Sequence, residues 1–435
     1  MALTPFKRKI VGVAIIVLAV GLTGLITSLL NASSDRGRLR LPVGTGTPAI
    51  SLGDLHGLIL ASDGSLWSWG SEKLGWPVLG LGGLTNRSTS LRRIGDSTNW
   101  VSISAGANHS LAIKSDGTLW TWGQSSHDYV TRLRPIPAPA LAAPGNDWKQ
   151  AAAGGVHSIA LKKDGTLWGW GNNWAGRLGI GPTNASAAPV RIGSGTNWTK
   201  VWAGNLTTLA MQSDGSLWCW GDFPTPDSRT PTAPISAPMR VSPDTNWVDA
   251  GLMDDTAFAI KSDGTLWAWG NQAHMFTEAS DAARDAVLTR VGTNADWKAL
   301  SACTGGYWWC PGLIKKDGSL WLMETTDPNP NGPTKPYPPV RFRRAAFQGE
   351  YVAYAGAAFH LRVPGPHLGI GVALTANGEV WTWGEVLGEP LSFRHRAQVL
   401  GVKLVNCLPL RKKIPPPYPY PLEVFREEPW RLRNE

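Results

Sequence analysis

The stretch from Ala105 to Gly123 reads AGANHSLAIKSDGTLWTWG, and it decides the fold of this chain. Two apolar runs, each alternating with small or polar residues, flank an Asp-Gly pair, a pattern that predicts a β-hairpin. Trp120 and Trp122 are two residues apart, so both side chains lie on one face of the returning strand. We predict a two-residue turn of type I′ at Asp116 and Gly117, with positive φ at both residues.

The closing phrase, Asp-Gly-Ser/Thr-Leu-Trp-x-Trp-Gly, occurs seven times at intervals of 48 to 60 residues. The sixth copy has Met323 instead of the second Trp, and the seventh begins with Asn instead of Asp. The recurring residues are Asp63, Trp67, Trp69, Asp116, Trp120, Trp122, Asp164, Trp168, Trp170, Asp214, Trp218, Trp220, Asp263, Trp267, Trp269, Asp317, Trp321, Asn377, Trp381 and Trp383. A fixed period near 50 residues indicates one supersecondary unit copied many times.

A second short β-like run precedes the hairpin, and in five copies it begins with Asn/Asp-Trp. These tryptophans are Trp100, Trp148, Trp198, Trp247 and Trp297. Each unit supplies three or four short strands and cannot bury its own apolar face, so the copies must stack. Repeated units of this length predict an all-β fold, a seven-bladed β-propeller. We interpret the recurring tryptophans as wedges between blades.

The third copy resembles the repeat of the regulator of chromosome condensation family. It runs from Ala153 to Leu161, continues from Asp164 to Asn172, and ends at Gly176 to Gly181, with Arg177 where that family has glutamine. The resemblance covers residues 48–405. It implies a propeller that binds proteins, and the chain looks like a bacterial-type, membrane-anchored member. The exchange activity of the founding member toward a small GTPase is not carried over, because its wedge and loop have no counterpart here.

A histidine recurs before the hairpin in the first three copies, as His56, His109 and His157. Thr207 and Thr256 stand at the same position in the next two copies. We interpret the three histidines as buried hydrogen-bond donors between blades. The turn aspartates shape the backbone, so we expect no catalytic role for them.

The chain divides into five segments. Residues 1–9 are basic, and residues 10–30 form 21 consecutive uncharged residues, long enough for one transmembrane helix. The basic flank predicts a cytoplasmic amino terminus and an extracytoplasmic propeller, periplasmic or extracellular. A cleaved signal peptide is the alternative. Residues 31–47 are a linker, residues 48–407 are the propeller, and residues 408–435 are a proline-rich tail.

Two further expectations concern the end of the propeller and the cysteines. Val399 to Val405 resembles the first strand of a blade, and we expect it to complete blade one and close the ring. Cys303 and Cys310 are the only close pair of the four cysteines, and outside the cytoplasm a disulfide between them is reasonable. Cys219 is expected to be a small strand residue.

The net charge of +9 is concentrated near the two ends of the chain. Residues 1–40 hold six basic and one acidic residue, whereas the propeller shows no basic stripe. We therefore expect no nucleic-acid partner. No zinc signature, phosphate loop or nucleophile elbow occurs, so we expect no metal, no cofactor and no enzyme activity.

Function should depend on aromatic residues outside the repeat. The candidates for partner binding are Trp174, Trp202, Tyr307, Trp308 and Trp309. Our first hypothesis is a membrane-anchored scaffold that binds a protein partner. The alternative is a lectin-like module that binds carbohydrate or the cell envelope through exposed rings. A hydrolase built from scattered loop residues is the third and weakest hypothesis.

Overall fold

The structure is a computed structural model, and in its described residues all regular secondary structure is β, apart from a 3-10 turn at Trp174–Gly176. It describes residues 41–54, 56–72, 76–83, 87–124, 135–222, 234–253, 256–270, 288–300, 312–324, 341–344, 351–357, 370–375 and 378–383. Across these ranges no helix is long and apolar enough to cross a membrane. The span predicted at residues 10–30 lies outside them.

Seven antiparallel sheets follow one another along the chain. Sheet 1 contains β1 (Ala49–Leu52), β2 (His56–Leu60), β3 (Leu66–Ser71) and β4 (Arg87–Arg93). Sheet 2 contains β5 (Trp100–Ala105), β6 (His109–Lys114), β7 (Leu119–Gly123) and β8 (Ile136–Ala143). Sheet 3 contains β9 (Trp148–Ala153), β10 (His157–Lys162), β11 (Leu167–Asn172) and β12 (Ala185–Arg191).

The later sheets repeat this order. Sheet 4 contains β13 (Trp198–Ala203), β14 (Thr207–Gln212), β15 (Leu217–Gly221) and β16 (Ile235–Arg240). Sheet 5 contains β17 (Trp247–Met253), β18 (Thr256–Lys261), β19 (Leu266–Gly270) and β20 (Thr289–Arg290). Sheet 6 contains β21 (Trp297–Leu300), β22 (Leu313–Lys315), β23 (Leu320–Glu324) and β24 (Arg341–Arg344), and sheet 7 contains β25 (Tyr351–Ala357), β26 (Ile370–Thr375) and β27 (Val380–Trp383).

The all-β propeller architecture is confirmed, but the predicted blade count is not reached. Six sheets have four strands and therefore form complete blades, whereas sheet 7 has three in the described part of the chain. Val399–Val405, predicted to complete blade one, lies outside the described residues. Sheet 1 takes all four strands from residues 49–93, so it does not need a strand from the carboxyl-terminal side.

Apolar clusters join each of the first five sheets to the next. Between sheets 1 and 2, for example, Leu58 and Leu60 pack with Trp100 and Trp122. The first strands of neighbouring sheets pack closely against each other across these joints, whereas no two fourth strands of the described residues pack as closely. The first strands therefore lie at the inside of the array, and the fourth strands at the outside.

The hairpin turn differs from the predicted one. In the second copy, three residues separate Lys114 from Thr118, whose carbonyl accepts the Lys114 N–H at 3.1 Å. Only Gly117 has positive φ there, at 84°, because the Asp116 carboxylate binds the Thr118 N–H and hydroxyl. A Cβ on Gly117 would lie 1.9 Å from the Asn146 carbonyl of the next repeat. The type I′ prediction is therefore wrong, yet the glycine is required, both for φ and for close packing.

Candidate interaction surface

The repeated turn aspartates are engaged inside the scaffold. In the second copy, the Thr118 hydroxyl donates to Asp116 Oδ1 at 2.6 Å and accepts the Trp120 indole N–H at 2.8 Å. The same relay joins Asp63-Ser65-Trp67, Asp164-Thr166-Trp168, Asp214-Ser216-Trp218, Asp263-Thr265-Trp267 and Asp317-Ser319-Trp321. The hydroxyl bond lowers the pKa of Asp116, so this carboxylate is an ionised acceptor and not a proton donor. Asn377 lies outside the described residues.

Lysines at the same end of the sheets also contact side chains of the scaffold. The Lys261 ammonium lies 4.9 Å from the ring centre of Trp247 and 4.2 Å from that of Trp267, and pairs with Asp244 at 3.0 Å. Equivalent lysines between two tryptophans are Lys114, Lys162 and Lys315. Cation–π contact on two rings leaves these ammonium groups with little capacity for a ligand.

The three repeat histidines join neighbouring sheets, as predicted. Each Nε2 lies within hydrogen-bond distance of a hydroxyl in the next sheet. The pairs are His56–Ser110 at 2.6 Å, His109–Ser158 at 2.9 Å and His157–Thr208 at 3.0 Å. Because the Thr208 hydroxyl donates its hydrogen to the Arg177 carbonyl at 2.8 Å, Nε2 of His157 must be the donor in that pair.

Burial keeps two of these histidines neutral. It lowers the pKa of His56 to about 3, and the electrostatic interaction with His109 acts in the same direction. Burial also lowers the pKa of His157 well below its usual value, and Arg177 opposes its protonation further. A neutral imidazole held by a hydroxyl and closed off from solvent serves as a structural link, not as a proton shuttle.

Side chains of the inner strands bridge neighbouring sheets. The Gln150 amide donates to the Val201 carbonyl at 2.8 Å and accepts the Val201 N–H at 3.2 Å, so it imitates a strand pairing. Between sheets 5 and 6, the Asp249 carboxylate accepts the Leu300 N–H at 2.8 Å. The Lys200 ammonium of sheet 4 lies 3.9 Å from the same carboxyl group. Burial raises the pKa of Asp249, and Lys200 partly opposes that shift. These polar residues therefore belong to the scaffold as well.

Two repeats end in a Leu-Gly segment, at residues 77–80 and 176–179. This segment binds the second tryptophan of the following repeat. The Trp220 indole donates to the Arg177 carbonyl at 2.9 Å, and Trp122 donates to the Val78 carbonyl at 2.9 Å. A Cβ on Gly179 would lie 2.8 Å from the Trp220 nitrogen, and the same distance separates Gly80 from Trp122. Both tryptophans are fully buried. The ending is thus a docking element between blades.

The loop after β11 is built around the buried side chain of Asn173. Its amide donates to the carbonyls of Gly181 at 2.9 Å and Thr183 at 2.6 Å, and its oxygen accepts the Leu178 N–H at 2.8 Å. Gly181 in turn donates to the Ser236 carbonyl of sheet 4 at 2.9 Å. The loop therefore stands in a fixed position at the histidine end of sheets 3 and 4.

The same loop presents Trp174 to solvent. This ring is 64% exposed, more than any other large apolar side chain among the described residues. The Asn172 side chain accepts the Trp174 N–H at 2.7 Å, and the Arg177 Nε donates to the Trp174 carbonyl at 2.8 Å. Ala175 between them has φ of 62°, a strained conformation for a residue with a Cβ.

The other predicted partner-binding residues are placed differently. Trp202 is half-buried and packs in the cluster between sheets 4 and 5, beside Leu209 and Leu252. Its role as a partner-contact residue stays a prediction, and its position on β13 packs part of the ring against this cluster. Tyr307, Trp308, Trp309, Cys303 and Cys310 lie outside the described residues. Cys219 is buried in β15.

No metal centre is formed by the residues that the structure describes. Among them, no group of three or more His, Cys, Asp or Glu side chains could hold a metal ion. Sequence reasoning missed the buried position of Arg177, whose side chain bridges Trp174 and the Asn205 carbonyl, 3.3 Å from Nη1. The signal was the departure from the family pattern, an arginine in place of glutamine.

Comparison with protein families identifies the repeat. Two models of the regulator of chromosome condensation (RCC1) repeat match the chain, one at residues 49–75, 100–128 and 148–175, and the other at residues 164–211. All matched residues lie in the first half of the chain, so this part of the chain is similar to repeats of that family. A comparison with curated protein sequences found no match.

Solved structures share the propeller fold. Human WBSCR16 is 18% identical with a TM-score of 0.59, and the match covers 73% of this chain and 85% of that protein. Prp20p from Saccharomyces cerevisiae, whose structure was described together with its binding to Gsp1p and histones, is 18% identical with a TM-score of 0.58, covering 70% and 79%. Yeast RCC1 (Prp20) bound to Kap60 gives 19% identity and a TM-score of 0.53, covering 62% and 68%. At these identities, the likeness shows the fold alone.

Proposed function

We propose that this chain is a β-propeller scaffold that binds a protein partner and has no catalysis of its own. One observation supports the proposal most directly: in the repeats that the structure describes, the recurring polar residues bind one another and the backbone. The aspartates hold turns, and three histidines join sheets. Chemistry specific to this protein must therefore come from the loops between strands. Two similar solved structures concern propellers with protein partners, namely Kap60, Gsp1p and histones.

The ring is proposed to contain seven blades, with sheet 7 as the last. Support comes from its packing against sheet 1, where Val372 and Leu374 contact Ile50 and Leu52 in one buried cluster. The Leu41 N–H also donates to the Gly378 carbonyl at 2.9 Å. Contacts between the first and the last sheet are what a closed propeller requires.

The propeller is proposed to sit outside the cytoplasm, anchored through residues 10–30. The support is the sequence alone: 21 uncharged residues preceded by Lys7, Arg8 and Lys9. In that environment a disulfide between Cys303 and Cys310 would close a loop that carries Trp308 and Trp309. Neighbouring side chains of an extended chain point in opposite directions, which is the reason for proposing one of these two tryptophans as the partner contact.

The proposal is tested by photo-crosslinking of the full chain in its native membrane. A photoreactive amino acid at position 309 reports on the proposed contact loop, and one at Val156 reports on the histidine end of sheet 3. Ala187, an exposed residue of the outer strand β12, is the matched control. We expect one discrete protein adduct from position 309, absent from position 187, in the membrane fraction. A chain without residues 10–30 should appear in the soluble fraction.

Two results would contradict these proposals. If positions 156 and 309 gave the same diffuse adducts as position 187, the scaffold role would be lost. If the chain without residues 10–30 still sedimented with the membrane, residues 10–30 would not be the anchor. The two outcomes are independent, because adducts and fractionation are scored separately.

A further inference from the structure

The chain enters the propeller at the end of the sheets that carries the Asp-Gly turns, which we call the turn end. The Leu41 N–H donates to the carbonyl of Gly378, in the turn of sheet 7, at 2.9 Å. The N–H groups of Gly44 and Gly46 then bind Ser62, beside the turn of sheet 1, through its hydroxyl at 2.9 Å and its carbonyl at 2.8 Å. Residues 41–46 therefore lie across the turns of sheets 7 and 1.

The membrane span proposed at residues 10–30 is close to this point of entry. Ten residues, 31–40, separate the span from Leu41, and they include Arg36, Arg38 and Arg40. An extended chain covers at most about 3.6 Å per residue, so this part of the turn end stays within about 40 Å of the bilayer. The histidine end lies at the opposite end of the same strands, farther from the point of attachment.

Exposed arginines recur at the turn end. In sheet 3, Arg191 is paired with Trp168 next to the turn, and its Nη2 donates to the Ser194 carbonyl at 3.0 Å. That bond uses one of the five N–H groups of a guanidinium. Four more sheets have an exposed arginine opposite the first tryptophan of the repeat, namely Arg93, Arg240, Arg290 and Arg344. Because these arginines belong to different repeats, no basic run in the sequence reveals them.

The arginine is not needed to build the sheet. Sheet 2 has Leu141 opposite Trp120, at the position that arginine occupies in the other five sheets, and it still forms all four strands. The Leu141 side chain is 61% exposed. The recurring arginines therefore call for a role at the surface, beyond their bonds to the backbone.

Ionised aspartates alternate with these arginines. The bond from the Thr166 hydroxyl lowers the pKa of Asp164, and Arg191 acts in the same direction. The pKa of the aspartate is lowered in the same way in the pairs Asp214–Arg240, Asp263–Arg290 and Asp317–Arg344. This alternation leaves little net attraction for an anionic surface. A tether that keeps the propeller at such a surface nevertheless makes a weak contact sufficient.

The shape of the turn end suits contact with a broad surface. The connections that lead from the fourth strand of one sheet to the first strand of the next, between sheets 1 and 6, have only four to six residues. Short connections cannot project far from the sheets. Exposed valines stand at the same end: Val43, Val101 and Val248 are 61%, 54% and 37% exposed.

We propose that the turn end of the propeller rests against the membrane surface, where its exposed arginines contact the phosphate groups of anionic phospholipids. The arginines are Arg93, Arg191, Arg240, Arg290 and Arg344. This inference rests on the membrane anchor proposed above. The histidine end then points away from the bilayer and presents Trp174 to a protein partner.

The test uses the full chain reconstituted in vesicles of phosphatidylcholine and phosphatidylglycerol. A fluorescent amino acid replaces Ser194 or Thr293, exposed at the turn end of sheets 3 and 5, or Trp174 at the histidine end. A quencher attached to lipid headgroups then reports which positions lie near the surface. We expect quenching at positions 194 and 293 and little at position 174. High salt or vesicles of phosphatidylcholine alone should reduce it, because the arginine contacts are screened or lost.

Two triple variants test the arginines. Arg191→Gln, Arg240→Gln and Arg290→Gln together should lower the ratio of docked to undocked propeller about tenfold or more, measured by quenching at position 194. The same three positions changed to lysine are the matched control, since lysine keeps the charge but not the guanidinium. This variant should retain most of the quenching. Thermal unfolding of both variants checks that the sheets are intact, as Leu141 in sheet 2 leads us to expect.

The remaining outcomes overturn the proposal. Equal quenching at all three positions, or quenching at position 174 alone, would contradict the orientation. An equal loss in the glutamine and lysine variants would mean that the guanidinium bonds to the backbone matter and the charges do not. No quenching at any position, in a chain that floats with the vesicles, would leave the anchor standing and remove only the docked turn end. A chain that does not float with the vesicles would overturn the anchor as well.

Discussion

At the scale of single residues, most recurring side chains join one repeat to the next. His56 lies in sheet 1 and its partner Ser110 in sheet 2. Gly117 lies in the turn of one hairpin, and because it has no Cβ it leaves room for the Asn146 carbonyl of the next repeat. A change at such a position removes a contact between blades, so its effect is on the stability of the joint and not on a binding site.

The buried histidines make stability depend on pH. The pKa of His56 is about 3 in the folded chain, whereas an unfolded histidine has a pKa near 6.5. Below pH 6.5, His56 becomes protonated in the unfolded state but stays neutral in the folded state. Stability therefore falls as the pH falls, until about pH 3. Between pH 7 and pH 5 this one residue should cost about 2 kcal/mol.

Chemical denaturation of the full chain at pH 7 and pH 5 measures this loss. His56→Gln has no titrating group, so its stability should fall about 2 kcal/mol less over the same pH interval. An identical loss in both proteins would show that His56 takes up its proton in the folded state. His157, whose pKa is also lowered by burial, should make its own contribution in both proteins.

Single residues were predicted unevenly, for a physical reason. The role of His56 followed from its recurrence, because a residue repeated at one position meets the same environment in each copy. Trp202 and Trp174 occur once each, and nothing in their spacing distinguishes a ring packed between sheets from an exposed one. Only the neighbours decide it: Leu209 and Leu252 enclose Trp202, whereas Arg177 supports Trp174 from one side.

At the scale of the sheet, a lysine between two tryptophans ties three strands together. Trp247, Lys261 and Trp267 belong to β17, β18 and β19, and the two rings meet edge to face with centres 6.4 Å apart. Sheet 4 has Gln212 at the lysine position and still brings Trp198 and Trp218 to 5.7 Å. Glutamine is therefore accommodated there, which makes it a suitable replacement.

Lys261→Gln should lower the free energy of unfolding by about 1–2 kcal/mol. The loss combines two cation–π contacts with the ion pair to half-exposed Asp244, which contributes little. The control is Lys298→Gln, an exposed lysine of β21, which should change stability by less than about 0.5 kcal/mol. Equal effects of the two substitutions in denaturant titrations would contradict the role assigned to the triad.

The elements themselves were predictable to different degrees. The second and third strands of each sheet contain the repeated phrase, so their positions followed directly from sequence. The turn did not, because the Asp116 side chain competes for the backbone and enforces a three-residue loop. The fourth strands repeat less closely: β12 ends Ala-Pro-Val-Arg and β16 ends Ala-Pro-Met-Arg, whereas β8 reads IPAPALAA. Strands on the outside of the array meet solvent, and their sequences are less constrained.

At the scale of the whole molecule, the contact between sheets 1 and 7 separates a closed ring from an open array. In an open array each repeat touches only its neighbours, and the terminal repeats unfold independently. In a ring, the first sheet depends on the last. Leu374 is 1% exposed in the cluster that joins them, together with Ile50 and Ile59.

Leu374→Ala should destabilise this joint by about 2–4 kcal/mol, the usual cost of a buried cavity. Hydrogen exchange followed by mass spectrometry shows which strands lose stability. In a ring, amides of β2 in sheet 1 should exchange faster along with those of β26, whereas β14 in sheet 4 changes less. Leu209→Ala, which removes an equally buried side chain between sheets 4 and 5, is the matched control and should reverse this pattern. Faster exchange confined to β26 would mean that sheet 1 holds without sheet 7, because an open array has no contact through which a loss at its last repeat could reach its first.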